Sequence, residues 1–196
     1  MPCDVTGASS GQTPRVKRLA PEEWSDDVRE LLSRSIPGVK PLAESAWLTT
    51  LAHNPRLMRR FGPLANHLLL KGRLPARQRE LLILRTAWLC QASYEWSEHV
   101  HIAKKAGVTT EAVERIVRGA DADEWDPIDA ALVQAVDELH KDSVISDDTW
   151  EVLARTFDEA ELLELLMVVG LYHLIAWTQN SLRVELDADR QGLAER

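Results

Sequence analysis

The sequence predicts an all-α fold of about seven to nine helices. Two observations carry that expectation. Apolar residues recur at helical spacing from Pro21 to Asn180, and nowhere does this yield to the alternating β-branched pattern of a half-buried strand. The periodic segments are also punctuated, with capping side chains ahead of acidic residues at their starts and glycines after several of their ends.

Taken in order, residues 1–15 are rich in Gly, Ser and Thr and read as a disordered tail. A single domain is expected over residues 16–190. It opens with "PEEWSDDVRELLSRS", where Pro21 and two glutamates suit a first helical turn. Pro37 and Gly38 mark a loop. Asn54-Pro55 then separates two helices, and Gly62-Pro63 predicts a kink or a second start. Further helices are expected at 75–90, 93–106, 110–118, 127–141, 147–156 and 158–180. Four of their starts read "TTEA", "DPID", "SDDT" and "FDEAE", each a capping side chain before acidic residues. Gly72, Gly107 and Gly119 are candidate stops.

Composition narrows the function classes. The 196 residues suffice for one substantial core, and 45% hydrophobic with 28% charged residues is a globular balance. A net charge of −8 argues against a nucleic-acid partner, which needs clustered Lys and Arg. Only Cys3 and Cys90 occur, so no disulfide framework follows and a reducing cytoplasm is the expected compartment. No secretory leader is visible. The longest apolar run, 162–177, is interrupted by Glu164 and His173 and falls short of the roughly 20 residues of a membrane span. It reads as a core helix, and no membrane partner is expected.

The segment "CQASYEWSEHVHIAKKAG" holds one cysteine, two glutamates and two histidines. A break near Gln91–Ser93, with Ser93 as a cap, would start a new helix. Within it Glu95, His99, Ile102 and Ala106 share one stripe, while Glu98, His101 and Lys105 form a more polar one. Glu80 repeats the anomaly, with Ala76, Ile83, Leu84 and Ala87 as its helical neighbours. Three ionisable groups thus stand where the pattern asks for hydrophobes. Burial of such groups is costly unless they are paired, and it moves their pKa values. A carboxylate–imidazole pair at i, i+4 is suited to general acid–base work, and it equally serves as a buried bridge that fixes helix packing.

No metal site is expected in this chain. His99 and His101 diverge by about 200° on a helix and cannot chelate together. Cys90 has no CxxC partner and reads first as a small buried hydrophobe. Trp88, Trp96 and Trp177 read as packing residues, with the alternative that a tryptophan lines a substrate pocket. Tyr94 and Tyr172 are candidate hydrogen-bond donors.

The run from "GRLPARQRELLILRTAW" to "AVERIVRG" resembles the carboxymuconolactone decarboxylase family, whose superfamily includes the AhpD-like alkylhydroperoxidases. Its elements are LPxxxREL at 74–81, YEWxxH at 94–99 and AxxxGVT at 103–109. "NPRLMRRFGPLANHLLLKG" and "VVGLYHLIAWTQNSLRVELD" resemble the flanking helices, so the likeness spans 46–187. It implies an AhpD-like helical bundle, homo-oligomeric assembly and an active site at the central helix pair. In the peroxidase branch a CxxC motif precedes the histidine, and a glutamate on the prior helix completes a proton relay. Glu80 and His99 stand at the relay positions, but Ala92 and Glu95 stand at the two cysteine positions. Without a second thiol there is no dithiol–disulfide cycle. The decarboxylase branch resembles this chain in having a glutamate four residues before the histidine.

The resemblance therefore implies a cofactor-independent acid–base enzyme acting on a small organic acid, lactone or carbonyl compound. His99 would be the acid–base group, Glu95 its tuning partner and Glu80 the relay, with Tyr94 and Trp96 lining a substrate pocket. A peroxidase-like protein using Cys90 with an external thiol, and a non-catalytic helical oligomer that binds a ligand or partner, are the alternatives.

Overall fold

The computed structural model describes residues 13–36, 40–188 and 190–193. Residues 1–12 of the expected tail, Cys3 among them, and the loop residues Pro37 and Gly38 lie outside these. Among the described residues there are nine α-helices and no strand. They are α1 (Asp26–Leu32), α2 (Ala46–Leu51), α3 (Pro55–Asn66), α4 (Ala76–Leu89), α5 (Ser93–Lys105), α6 (Thr110–Arg118), α7 (Pro127–Asp142), α8 (Asp147–Ala154) and α9 (Glu159–Leu182). Pro63 lies inside α3, which runs on through a wider π-type turn at His67–Lys71 and stops at Gly72.

The starts follow the capping signals. Thr109, Asp126, Ser146 and Asp158 each accept hydrogen bonds from first-turn amides, and Asp158 forms a reciprocal capping box with Glu161. Gly107 and Gly119 end α5 and α6 with φ of 90° and 103°, a left-handed backbone that glycine adopts without steric cost. At Gly72 the requirement is space, because a Cβ there would lie 2.7 Å from the Glu164 carboxylate. The turn between α4 and α5 is made differently from expectation. Gln91 takes φ 51°, Ala92 precedes α5 with no side-chain cap, and Ser93 is already helical.

Helix α4 is the centre of the molecule and packs against α5, α6, α7 and α9. Leu81, Leu82, Ile83 and Leu84 all lose their solvent exposure completely, as befits a helix covered on every side. Arg85 crosses from α4 to Asp137 of α7, Nε to Oδ1 at 2.6 Å and Nη2 to Oδ2 at 3.0 Å, and caps the Ile116 carbonyl of α6 at 2.6 Å. A smaller cluster of Val28, Leu31, Leu32, Leu42, Ala52 and Met58 packs α1 against α2 and α3.

Helix α9 extends beyond the apolar run that marks it, to 24 residues with a mean hydropathy of 1.6 over its most apolar window. By length and composition it could cross a membrane, but 50% of that window is buried inside the bundle. Its other side is apolar too. Leu163, Met167, Leu174 and Trp177 are exposed, so Trp177, expected to pack, instead stands 61% accessible.

Candidate functional site

Glu80 sits on the second turn of α4, where the central position of that helix seals it completely. Glu95 and His99 sit one turn apart on α5, 6% and 4% exposed, and face it. His99 Nδ1 lies 2.7 Å from Glu80 Oε2, and Nε2 lies 3.1 Å from Glu95 Oε1. The imidazole is therefore clamped between two carboxylates. Burial alone would pull the His99 pKa down, but the charges and hydrogen bonds of Glu80 and Glu95 outweigh it and hold the group up at about 10. At neutral pH His99 is an imidazolium that donates from both nitrogens, which leaves no lone pair for a metal.

Three further residues complete the cluster. Gln179 of α9 donates from Nε2 to Glu95 Oε2 at 2.7 Å. Arg79 brings its guanidinium Nε to 3.4 Å from Glu80 Oε1. Tyr172 of α9 meets the His99 ring edge-on, centroids 5.0 Å apart, and burial, then Glu95 and Glu80, push its phenol well above the ordinary range. Two carboxylates, one imidazolium and one guanidinium sum to zero charge, which makes their joint burial tolerable. Arg79 Nε, Glu80 Oε1 and Gln179 Oε1 are buried without a hydrogen-bond partner among the described residues. Such concentrations of unsatisfied polar atoms are uncommon in packed interiors.

The structure thus brings together Glu80, Glu95 and His99. Tyr94 has other neighbours: its hydroxyl donates to Asp187 Oδ2 at 3.0 Å and lies 2.9 Å from Ser45 Oγ. Asp187 in turn pairs with Lys40, so Tyr94 ties the segment after α9 onto α5. Trp96 is buried and tilted against Trp88, centroids 5.7 Å apart. Cys90 is half-buried at the end of α4, close to His140 and His173, and burial pushes its thiol up to about 11. Arg79 and Gln179 escaped the sequence reading. Gln179 carries a weak signal, a polar residue seven positions after Tyr172 on the buried side of α9.

Residues 55–138 match the carboxymuconolactone decarboxylase family. Among curated proteins none matches the sequence significantly. Three solved structures show the fold. The alkylhydroperoxidase AhpD core of a peroxidase-related protein from Ralstonia eutropha JMP134 is 18% identical, with a TM-score of 0.76 over 92% of this chain and 95% of that one. A peroxidase-related protein from Silicibacter sp. TM1040 is 14% identical, with a TM-score of 0.72 over 92% and 97%. The debrominase Bmp8, crystallised with 2,3,4-tribromopyrrole, is 18% identical, with a TM-score of 0.66 over 88% and 91%. The resemblance read from the sequence holds: the stretch 55–138, which carries Glu80, Glu95 and His99, is a carboxymuconolactone decarboxylase family region set in an AhpD-like fold.

Proposed function

We propose that this protein is a cofactor-independent acid–base enzyme of the carboxymuconolactone decarboxylase type, acting on a small organic acid, lactone or carbonyl compound. The observation that carries the reading is the clamping of His99 between Glu80 and Glu95 at 2.7 and 3.1 Å. An imidazolium held at about 10 keeps its proton from water at pH 7. It remains acidic enough to stabilise and then protonate an enolate. In a decarboxylation the breaking C–C bond would leave its electron pair on the enolate as CO2 departs. His99 would return a proton to carbon, and Glu95 or Glu80 would pass a replacement from solvent. The same groups serve a related lyase or isomerase step. Because the trio is buried, substrate entry requires a local opening of the surrounding helices.

The thiol-based alternative draws less support, since Cys90 stands apart with His140 and His173 and burial disfavours its thiolate. The complete burial of Glu80 favours a second reading, in which the trio only clamps α4 to α5. A panel of 4-carboxymuconolactone and simple β-keto acids, followed by CO2 release, separates the two. The enzyme reading expects turnover that falls by at least about 100-fold in His99→Gln while the circular dichroism is retained. Equal turnover in the variant, or none by the unaltered protein on any member, overturns it.

Self-assembly and a cytoplasmic home are part of the same proposal. Leu163, Met167, Gly170, Leu174 and Trp177 repeat at alternating four- and three-residue steps along the exposed side of α9. That is the spacing of a helix–helix seam, and Gly170, with nothing within 4 Å of its Cβ position, would let a second α9 approach closely.

A further inference from the structure

A second cluster of reactive side chains lies outside the Glu80–Glu95–His99 trio. Cys90 at the end of α4, His140 in the last turn of α7 and His173 midway along α9 each bring a ligand atom within 4.8 Å of the other two. From this juxtaposition we infer that Cys90, His140 and His173 form a binding site for a zinc-type divalent transition-metal ion.

The cysteine is held firmly. Its amide donates to Thr86 O at 2.9 Å, its carbonyl accepts from Asn180 Nδ2 at 2.7 Å, and the chain turns sharply at the next residue. The two imidazoles are already aimed at one another, His140 Nδ1 to His173 Nε2 at 2.9 Å. His173 Nδ1 lies 2.9 Å from the Val169 carbonyl. A carbonyl only accepts, so Nδ1 carries the hydrogen and, in the neutral ring, Nε2 carries the lone pair. That is the orientation of a metal-ligating histidine whose far nitrogen is tied to a backbone carbonyl. The hydrogen between the rings then belongs to His140.

A metal ion would take the place of that shared hydrogen. His140 is exposed, so its proton can move to Nε2 and face water, leaving Nδ1 free to bind. Tetrahedral zinc with imidazole bonds of about 2.0–2.1 Å sets its two nitrogens roughly 3.3 Å apart. A small spreading of the 2.9 Å contact provides that. The Cys90 thiol loses its proton to buffer as the Zn–S bond forms. The step is therefore one ion in and one proton out, with no change of oxidation state. One thiolate with two imidazoles suits zinc and disfavours calcium and magnesium. Three protein ligands leave a fourth position for water on the side of exposed His140, the composition of a reactive rather than a closed structural site.

The test uses the full chain, freed of any purification tag and stripped of metal under a phosphine reductant. Titration with Zn(II) is expected to show one tight equivalent and release of about one proton at pH 7. Co(II) is expected to give intense visible bands with a near-ultraviolet thiolate charge-transfer band. The band should survive Cys3→Ser, vanish in Cys90→Ser and be lost in His140→Ala. Zinc affinity should fall by more than about 100-fold in each of the last two. Both substitutions avoid removing a fully buried side chain, and circular dichroism checks their fold. Absence of a stoichiometric site, a cobalt spectrum without the thiolate band, or binding unchanged in Cys90→Ser or His140→Ala overturns the assignment.

Discussion

Replacing Glu80 by Gln tests the electrostatics of the trio, and the expected effect can be worked from the geometry. His99 titrates at about 10 in the folded chain, raised from an ordinary value of 6.5. A group whose folded pKa is raised adds stability that is fully present below the unfolded pKa and is lost as pH rises through the folded one. The window is therefore pH 6.5 to about 10. Across it the folded state holds a proton that the unfolded chain has released, so stability falls by about 1.4 kcal/mol per pH unit, on the order of 5 kcal/mol in all. Glu80→Gln removes the negative charge 2.7 Å from His99 Nδ1 and leaves Arg79 without its buried carboxylate. Breaking such a pair costs about 3–5 kcal/mol, and the cost should be largest near pH 6.5 and shrink towards pH 10. Urea unfolding followed by tryptophan fluorescence at half-unit steps measures both curves. Cys90, which burial holds up at about 11, titrates in both proteins, so the difference between the curves isolates His99. A wild-type stability that is flat from pH 7 to 9.5, or an identical slope in Glu80→Gln, would refute the clamp.

Nitrogen-15 NMR at pH 7 should find both His99 ring nitrogens protonated, because each faces a carboxylate oxygen; a neutral tautomer contradicts this. Gly119→Ala should destabilise by about 1–2 kcal/mol, since φ is 103° and a Cβ would meet Arg85 Nη2 at 3.1 Å; thermal unfolding reads the loss, and an unchanged midpoint goes against it. Leu174→Glu, at a position 48% exposed, should leave the helical signal intact while shifting the mass seen by light scattering to that of the monomer. A wild-type chain that is already monomeric at micromolar concentration removes the proposed α9 seam.

The helices were legible because their signals are local. Asp126, Ser146 and Asp158 announce α7, α8 and α9 within three residues of each start, and a capping side chain acts over that distance. The α4–α5 turn was less so, because Gln91 at φ 51° is an ordinary residue in a conformation its type does not advertise. The burial of Glu80, Glu95 and His99 could be read from stripes on two adjacent helices. Gln179 and Arg79 could not, since their partnership depends on how α9 and α4 pack. Trp177 fails for a related reason. Helix α9 is apolar on nearly every side, so its sequence does not say which side meets the core. The Cys90–His140–His173 cluster draws on three separate helices, and no spacing within one segment predicts it.

What separates this chain from the CxxC pattern of the peroxidase branch is, above all, the residue at position 95. Where the resemblance places a cysteine, Glu95 puts a second carboxylate against His99, and Ala92 replaces the other thiol with a fully buried methyl. A histidine flanked by one carboxylate and one thiol can pass a proton between them. Flanked by two carboxylates it is held as an imidazolium, and in the proposed reaction the proton it holds is the reagent. Arg79, set against Glu80, brings the cluster's charge to zero, and Gln179 satisfies the Glu95 oxygen that faces away from His99. With a carboxylate where a thiol would stand, carbon or oxygen, rather than sulfur, is the natural recipient of the proton in the proposed reaction.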